Sequence, residues 1–332
     1  MNNYWENKTE RQIFILGLLI VLLLTLNFSG KGQVMAKNDM LQVTHNTVKI
    51  DGLDIFYREA GDKSKPTILL LHGFPTSSFM FRNLIPQLAG KYHVVAPDYP
   101  GFGQSSMPQA TEFDYTFENL TNIVDKFTTA VGITKYSLYM QDYGGPVGFR
   151  LAVKHPERIQ ALIIQNANAY EEGFSEMGEP LKVYGETLDP KIREALKDVL
   201  KLETTKFQYL HGARNPNLIS PDTWTLDQAG LDRAGNQEIQ LALFADYSSN
   251  VKSYPIWQKY LRKNQPPTLV VWGKNDPFFT TKNIDGLRRD LKKLEVHLLD
   301  GGHFALEEYA DEIAAYIKGF LAKNIKKHGD KL

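Results

Sequence analysis

Apolar positions along the chain change period several times, and each change marks an element. Thr67 to Leu71 is a continuous apolar run, the pattern of a strand buried on both faces. Tyr92 to Ala96, Tyr136 to Met140, Ala161 to Ile164, Thr268 to Trp272 and Leu294 to Leu299 are expected as further strands. Before them, Thr47 to Ile50 and Leu53 to Glu59 flank Asp51-Gly52, which predicts a hairpin. Between the strands the period lengthens to that of a helix. Phe79, Phe81, Leu84 and Leu88 mark one helix, and Leu120, Ile123, Val124 and Phe127 mark another over Phe117 to Val131. Further helices are expected over Val147 to Val153, Lys282 to Leu291 and Leu306 to Ile325. Strands alternating with helices predict an α/β fold with a mostly parallel central sheet and helices on both faces.

One connection is too long for that scheme. From Asn166 to Thr268 about 100 residues pass without a convincing strand, where such links usually take 2–6. The stretch carries helix signals: Asp189-Pro190 as cap and first turn, Ser220-Pro221, Asn236, and Ser253 with Pro255. It is expected to be a helical cap inserted over the C-terminal edge of the sheet, where open α/β sheets bind ligands. The expected division is 37–166 and 267–332 for the core, with 167–266 as the cap.

Residues 1–36 are expected to stand apart from the fold. Ile13 to Leu24 is almost wholly apolar, Lys8 and Arg11 precede it, and Val34-Met35-Ala36 resembles a signal-peptidase site. The first expectation is an exported chain, periplasmic or secreted, cleaved near Ala36. The alternative is a membrane anchor through residues 13–28, although the apolar run is short for a spanning helix.

Composition narrows the chemistry. The 332 residues include 38 basic and 38 acidic side chains, so nothing favours nucleic acid or an acidic surface as partner. There is no cysteine, which excludes disulfides, thiol catalysis and cysteine-bound metals. The stretch that draws attention is Leu138 to Pro146, a strand that runs through Gln141-Asp142 into Gly144-Gly145 and then a helix. A strand turning directly into a helix presents the corner residue on a strained, exposed bend, the geometry of a nucleophile elbow. Here the corner is Asp142. An aspartate there is also a good helix cap; the flanking strand, the glycine pair and the Asp and His further on favour the nucleophile.

In order, His72-Gly73-Phe74-Pro75, Pro97-Asp98 through Gly101-Phe102-Gly103, the elbow, Gly273-Lys274-Asn275-Asp276 and Gly301-Gly302-His303-Phe304 resemble the α/β-hydrolase superfamily. The aspartate at the elbow resembles the branch that contains the epoxide hydrolases and haloalkane dehalogenases. The likeness spans residues 45 to about 322. It implies a cofactor-free and metal-free hydrolase in which Asp142 attacks carbon and leaves an alkyl ester. His303 is then the general base for the hydrolytic water, and Asp276 the acid that orients it. The region after the preceding strand, Gln165 to Asn168, holds no carboxylate that would compete with Asp276. Backbone N–H groups of Phe74 and Tyr143 would form the oxyanion hole. One departure is Met140, where serine-type elbows carry a small residue. His72 is read as structural.

The leaving group separates the two families. The elbow neighbour is Tyr143 rather than Trp, and Phe74 follows His72-Gly73 where a dehalogenase would favour Trp or Asn. Phe244 to Asn250 resembles the cap stretch that carries an epoxide-opening tyrosine, with Tyr247 at the matching position. Tyr170 and Tyr184 are both candidates for a second tyrosine. Trp224 and Trp257 are read as helix-face core rather than pocket lining. The expected reaction is epoxide hydrolysis of a small apolar substrate to a diol. Haloalkane or haloacid dehalogenation is the alternative, and a non-catalytic ligand-binding protein on the same scaffold is the alternative of another class.

Overall fold

A computed structural model describes residues 42–325. The segment read as signal or anchor, 1–36, lies outside the described residues. The strands are β1 (Thr44–Ile50), β2 (Leu53–Ala60), β3 (Thr67–Leu71), β4 (His93–Pro97), β5 (Tyr136–Gln141), β6 (Ile159–Gln165), β7 (Thr268–Gly273) and β8 (Leu294–Leu299). They form one sheet in the order β1-β2-β4-β3-β5-β6-β7-β8. β1, β2 and β4 pair antiparallel, and every pairing from β4 through β3 to β8 is parallel. The β1–β2 hairpin turns on Asp51 and Gly52, both with positive φ (50° and 85°), as a two-residue hairpin turn requires. Every residue of β3, β4, β5 and β7 is buried, which is why those strands read as unbroken apolar runs.

The helices that flank the sheet begin with α1 (Ile85–Ala89), α2 (Phe117–Ala130) and α3 (Gly144–Lys154). The single helix expected around Phe79 to Leu88 is instead a 3-10 turn over Ser78–Phe81 followed by α1. Pro86 sits in the first turn of α1, where its missing N–H costs nothing, and Ser77 caps the 3-10 turn.

All helices between β6 and β7 belong to the long connection: α4 (Glu179–Thr187), α5 (Pro190–Leu196), α6 (Leu202–Leu210), α7 (Asp222–Leu231) and α8 (Asn236–Asn264). Asp189 caps α5 as its sequence implies, its carboxylate accepting the Lys191 N–H at 2.8 Å. The helix expected to open at Ser253 and Pro255 is not a separate element. Pro255 lies inside the 29-residue α8. The buried face continues across it, through Tyr247, Val251, Tyr254 and Leu261, and that packing outweighs one lost backbone hydrogen bond. α9 (Lys282–Asp290) and α10 (Leu306–Asn324) are the last helices among the described residues.

Two contacts fasten α8 to the core beside the elbow. Asp246 accepts the Phe117 N–H at 2.8 Å and so caps α2 from outside. Arg150 of α3 donates to Asn250 at 2.6 Å and Ser249 at 3.0 Å, and its guanidinium lies 5.3 Å from the Trp257 ring.

Candidate active site

Asp142 occupies the turn between β5 and α3 with φ 47°, a left-handed conformation that few side chains adopt. Close packing sustains it. Gly73 is needed because a Cβ there would lie 2.3 Å from the Asp142 Cβ. Met140 is accommodated by a glycine elsewhere: a Cβ on Gly148 would fall 2.3 Å from its sulfur, so the small residue has moved from the strand to the facing helix.

The carboxylate is held at one end. Oδ1 accepts the Phe74 N–H at 2.7 Å, and the nearby Tyr143 amide also favours the charged carboxylate. The two amides expected to form an oxyanion hole therefore converge on Asp142 itself. Oδ2 lies 3.9 Å from Nε2 of His303. On the other side of the ring, Nδ1 lies 2.9 Å from Oδ2 of Asp276. Asp276 is fixed in turn, its Oδ1 accepting the N–H groups of Phe278 and Phe279 at 2.8 and 3.2 Å. Asn166, at the end of β6 with φ 44°, donates to Asp276 Oδ2 at 2.8 Å and brackets Gly273 through both amide atoms. The nucleophile, acid and histidine positions read from the sequence thus meet in one buried cluster.

Burial is the largest influence on Asp142 and pushes its pKa up, against His303 and the two backbone amides, which favour the charged form. For His303 burial is again the largest influence and pushes down, but Asp276 and Asp142 overrule it and the net shift is upward. His72 is fully buried. Its Nδ1 bonds the Gly73 carbonyl at 3.1 Å, its Nε2 accepts the Tyr99 N–H at 3.3 Å, and burial lowers its pKa. It fixes the loop, as its position in the sequence implies.

A cavity opens above Asp142. Its polar lining is Asp142, Tyr143, Gln208, Tyr247 and His303. The rest is mainly aromatic, with Phe74, Phe174, Phe244, Phe278 and Phe279. Tyr247 comes from α8, packed edge-on against Phe117 at 5.8 Å. Burial first, then the nearby Tyr254 and Asp142, raises its pKa well above the usual phenol value, so it keeps its proton at neutral pH. Its hydroxyl lies near that of Tyr254, which accepts an N–H from Asn168 at 3.3 Å.

Neither tyrosine suggested as a second donor lines this cavity. Tyr170 is turned to α9, where its hydroxyl donates to Asp290 at 2.9 Å, and Tyr184 is buried on α4. A tyrosine that does stand beside Tyr247 is Tyr254, two helical turns further along α8, which the sequence analysis did not single out. Trp257 stacks on Phe149 at 5.2 Å in the core, Trp224 is half-buried near Tyr209 at 6.3 Å, and neither lines the cavity. Gln208 was also missed. It is 3% exposed and its amide nitrogen has no hydrogen-bond partner. Nothing in the helical pattern of α6 distinguishes it, because its surroundings come from other elements. Among the described residues no cluster of His, Cys, Asp or Glu could hold a metal ion, and no helix is long and apolar enough to cross a membrane.

Residues 66–310 match the family model for the alpha/beta hydrolase fold. An uncharacterized hydrolase of Saccharomyces cerevisiae, YNR064C, is 44% identical over 278 residues, 82% of this chain and 95% of the yeast protein. Epoxide hydrolase 3 of Mus musculus is 25% identical over 85% of this chain and 77% of its own length. Haloalkane dehalogenases are also among the sequence relatives. Among solved structures, a loop variant of the haloalkane dehalogenase DbeA from Bradyrhizobium elkanii superposes with a TM-score of 0.71 at 22% identity, over 85% of this chain and 97% of that one. The chain belongs to the alpha/beta hydrolase fold family and is a hydrolase of that fold, related to the haloalkane dehalogenases and epoxide hydrolases, whose elbow nucleophile is an aspartate.

Proposed function

We propose that this hydrolase converts a small apolar epoxide into a vicinal diol through an ester on Asp142. Asp142 Oδ2 attacks a ring carbon, the C–O bond breaks, and the departing oxygen takes the proton of Tyr247. His303 then removes a proton from water, and the resulting hydroxide adds to the ester carbonyl. The developing oxyanion sits on Oδ1, against the Phe74 and Tyr143 amides. Collapse expels the diol oxygen, which takes the proton from His303. The new carboxylic acid returns its proton to Tyr247, and the cycle closes with one water consumed.

The observation that carries the reading is Tyr247, a protonated phenol lining the same cavity as the carboxylate, with Tyr254 beside it. An alkoxide needs a proton donor to leave, whereas a halide needs only weak N–H donors. The similarity to an epoxide hydrolase supports the same reaction. Tyr247→Phe is expected to slow formation of the ester from epoxides about 10²–10⁴-fold, the range for removing a general acid. Stopped-flow measurement of the alkylation step checks this; an unchanged rate removes Tyr247 from the mechanism.

Dehalogenation remains the second reading because of Gln208, whose amide N–H groups are unpartnered beside the cavity and suit a halide. Halide release from haloalkanes, with no diol from any epoxide, distinguishes the two. The apolar run and the Val34-Met35-Ala36 site support export as the setting of the reaction. Cleavage is tested by the mass of the mature protein.

A further inference from the structure

Gln141, the residue before the nucleophile, ends β5 and is fully buried. Its Nε2 lies 3.1 Å from Nε2 of His303. The opposite ring nitrogen is committed to Asp276, so a neutral His303 carries its proton on Nδ1 and its lone pair on Nε2. The amide N–H of Gln141 donates into that lone pair. The other end of the amide explains its orientation. Oε1 has no hydrogen-bond donor and lies 2.5 Å from the point where a Cβ on Gly73 would stand. It therefore faces the Cα–H of that glycine, a contact a carbonyl oxygen accepts and an NH₂ group does not.

We propose that Gln141 is a positioning residue that holds His303 in its neutral, Nδ1-protonated form, its amide N–H occupying the Nε2 lone pair until the hydrolytic water displaces it. Protonation at Nε2 would set two donors against each other in a buried site, where an unmatched polar contact is costly. The groups facing the ring define what Gln141 works against. Asp142 comes from the elbow and Asp276 from the loop after β7, and both draw the ring toward imidazolium. Across the cavity stand the phenols of Tyr143 and Tyr247, both pushed well above their usual pKa by burial, while α6 contributes the neutral Gln208 and the loop after β3 contributes Phe74. Esterification removes the charge of Asp142. One of the two attractions then disappears at the step that needs a free base, and the donor from Gln141 tips the ring to neutral.

The assignment of His303 as base rests on the proposed function; the ring's protonation does not, and the test separates them. Nitrogen-15 NMR of the imidazole in the resting enzyme reports its tautomer and pKa directly, with His303→Gln identifying the signal. Gln141→Met matches the length of the side chain and removes the donor, and Gln141→Glu matches its shape and adds an acceptor. The wild-type ring is expected as the Nδ1–H tautomer when neutral. Its pKa should rise by about one unit in Gln141→Met, the equivalent of one hydrogen bond, and further in Gln141→Glu. A wild-type ring protonated on Nε2 when neutral, or a pKa in Gln141→Met that is unchanged or lower, overturns the proposal. With an epoxide, the acid limb of ester hydrolysis should move by the same amount, and raising the pH should restore the Gln141→Met rate. If no epoxide forms an ester, the epoxide reading fails while the ring titration still decides the role of Gln141.

Discussion

His303→Gln is expected to halt the reaction halfway. Alkylation of Asp142 requires no base, so the variant should still react once with an epoxide and then retain the product as an ester. Intact-mass measurement should show a species heavier by the mass of the substrate, accumulating to about one equivalent. Turnover should fall on the order of 10³–10⁶-fold, the range seen when a member of a catalytic unit is removed. The geometry explains the separation of the steps. Oδ2 of Asp142 lies 3.9 Å from the ring, beyond hydrogen-bonding distance, so Asp142 has no proton to hand to His303 before it attacks. A variant that neither turns over nor gains mass would mean that His303 serves the first step and that the ester mechanism is wrong.

Asp142→Asn is expected to abolish alkylation, with a loss on the order of 10⁴-fold or more, because a neutral amide oxygen is a poor nucleophile toward carbon. The same change should make the protein more stable at neutral pH. Burial raises the pKa of Asp142 in the folded state, so between the unfolded and folded values the folded protein holds more protons, and stability falls as pH rises through that window. Asparagine has no such charge to bury, and it tolerates a left-handed backbone at least as well as aspartate. Thermal midpoints should therefore be higher for the variant at pH 7, and the gain should shrink as pH drops toward the unfolded carboxyl value of about 4. Equal midpoints across the pH range would show that the charge of Asp142 is not a burden on the fold.

The sheet was legible because its central strands are buried on both faces, and continuous apolar runs leave few alternatives. The positions of Asp142, Asp276 and His303 were legible for a related reason. Each follows a strand at a glycine- or proline-marked turn, so local pattern alone delivers it to the same edge of the sheet. The residues that complete the site carried no such mark. Asn166 was noted only as lacking a carboxylate, yet its amide fixes Asp276. Gln208 and Tyr254 lie on helices where an inward polar residue looks like any other break in an apolar stripe. The cap was the least readable part: Pro255 reads as a helix start, and only the shared core shows that α8 passes through it. Tyr170 was a plausible donor until Asp290, a residue far along the chain, proved to be its partner.

The two oxygens of Asp142 are not equivalent, because the Phe74 amide holds Oδ1 while Oδ2 faces the imidazole. In a reaction that spends the outer oxygen on product and refills it from solvent, the inner one is a permanent fixture. Enzyme cycled through many turnovers in heavy-oxygen water should therefore carry the isotope at a single position of that side chain, never at both. The carboxylate would then keep a record of its own orientation, and a doubly labelled aspartate would mean that it rotates between cycles.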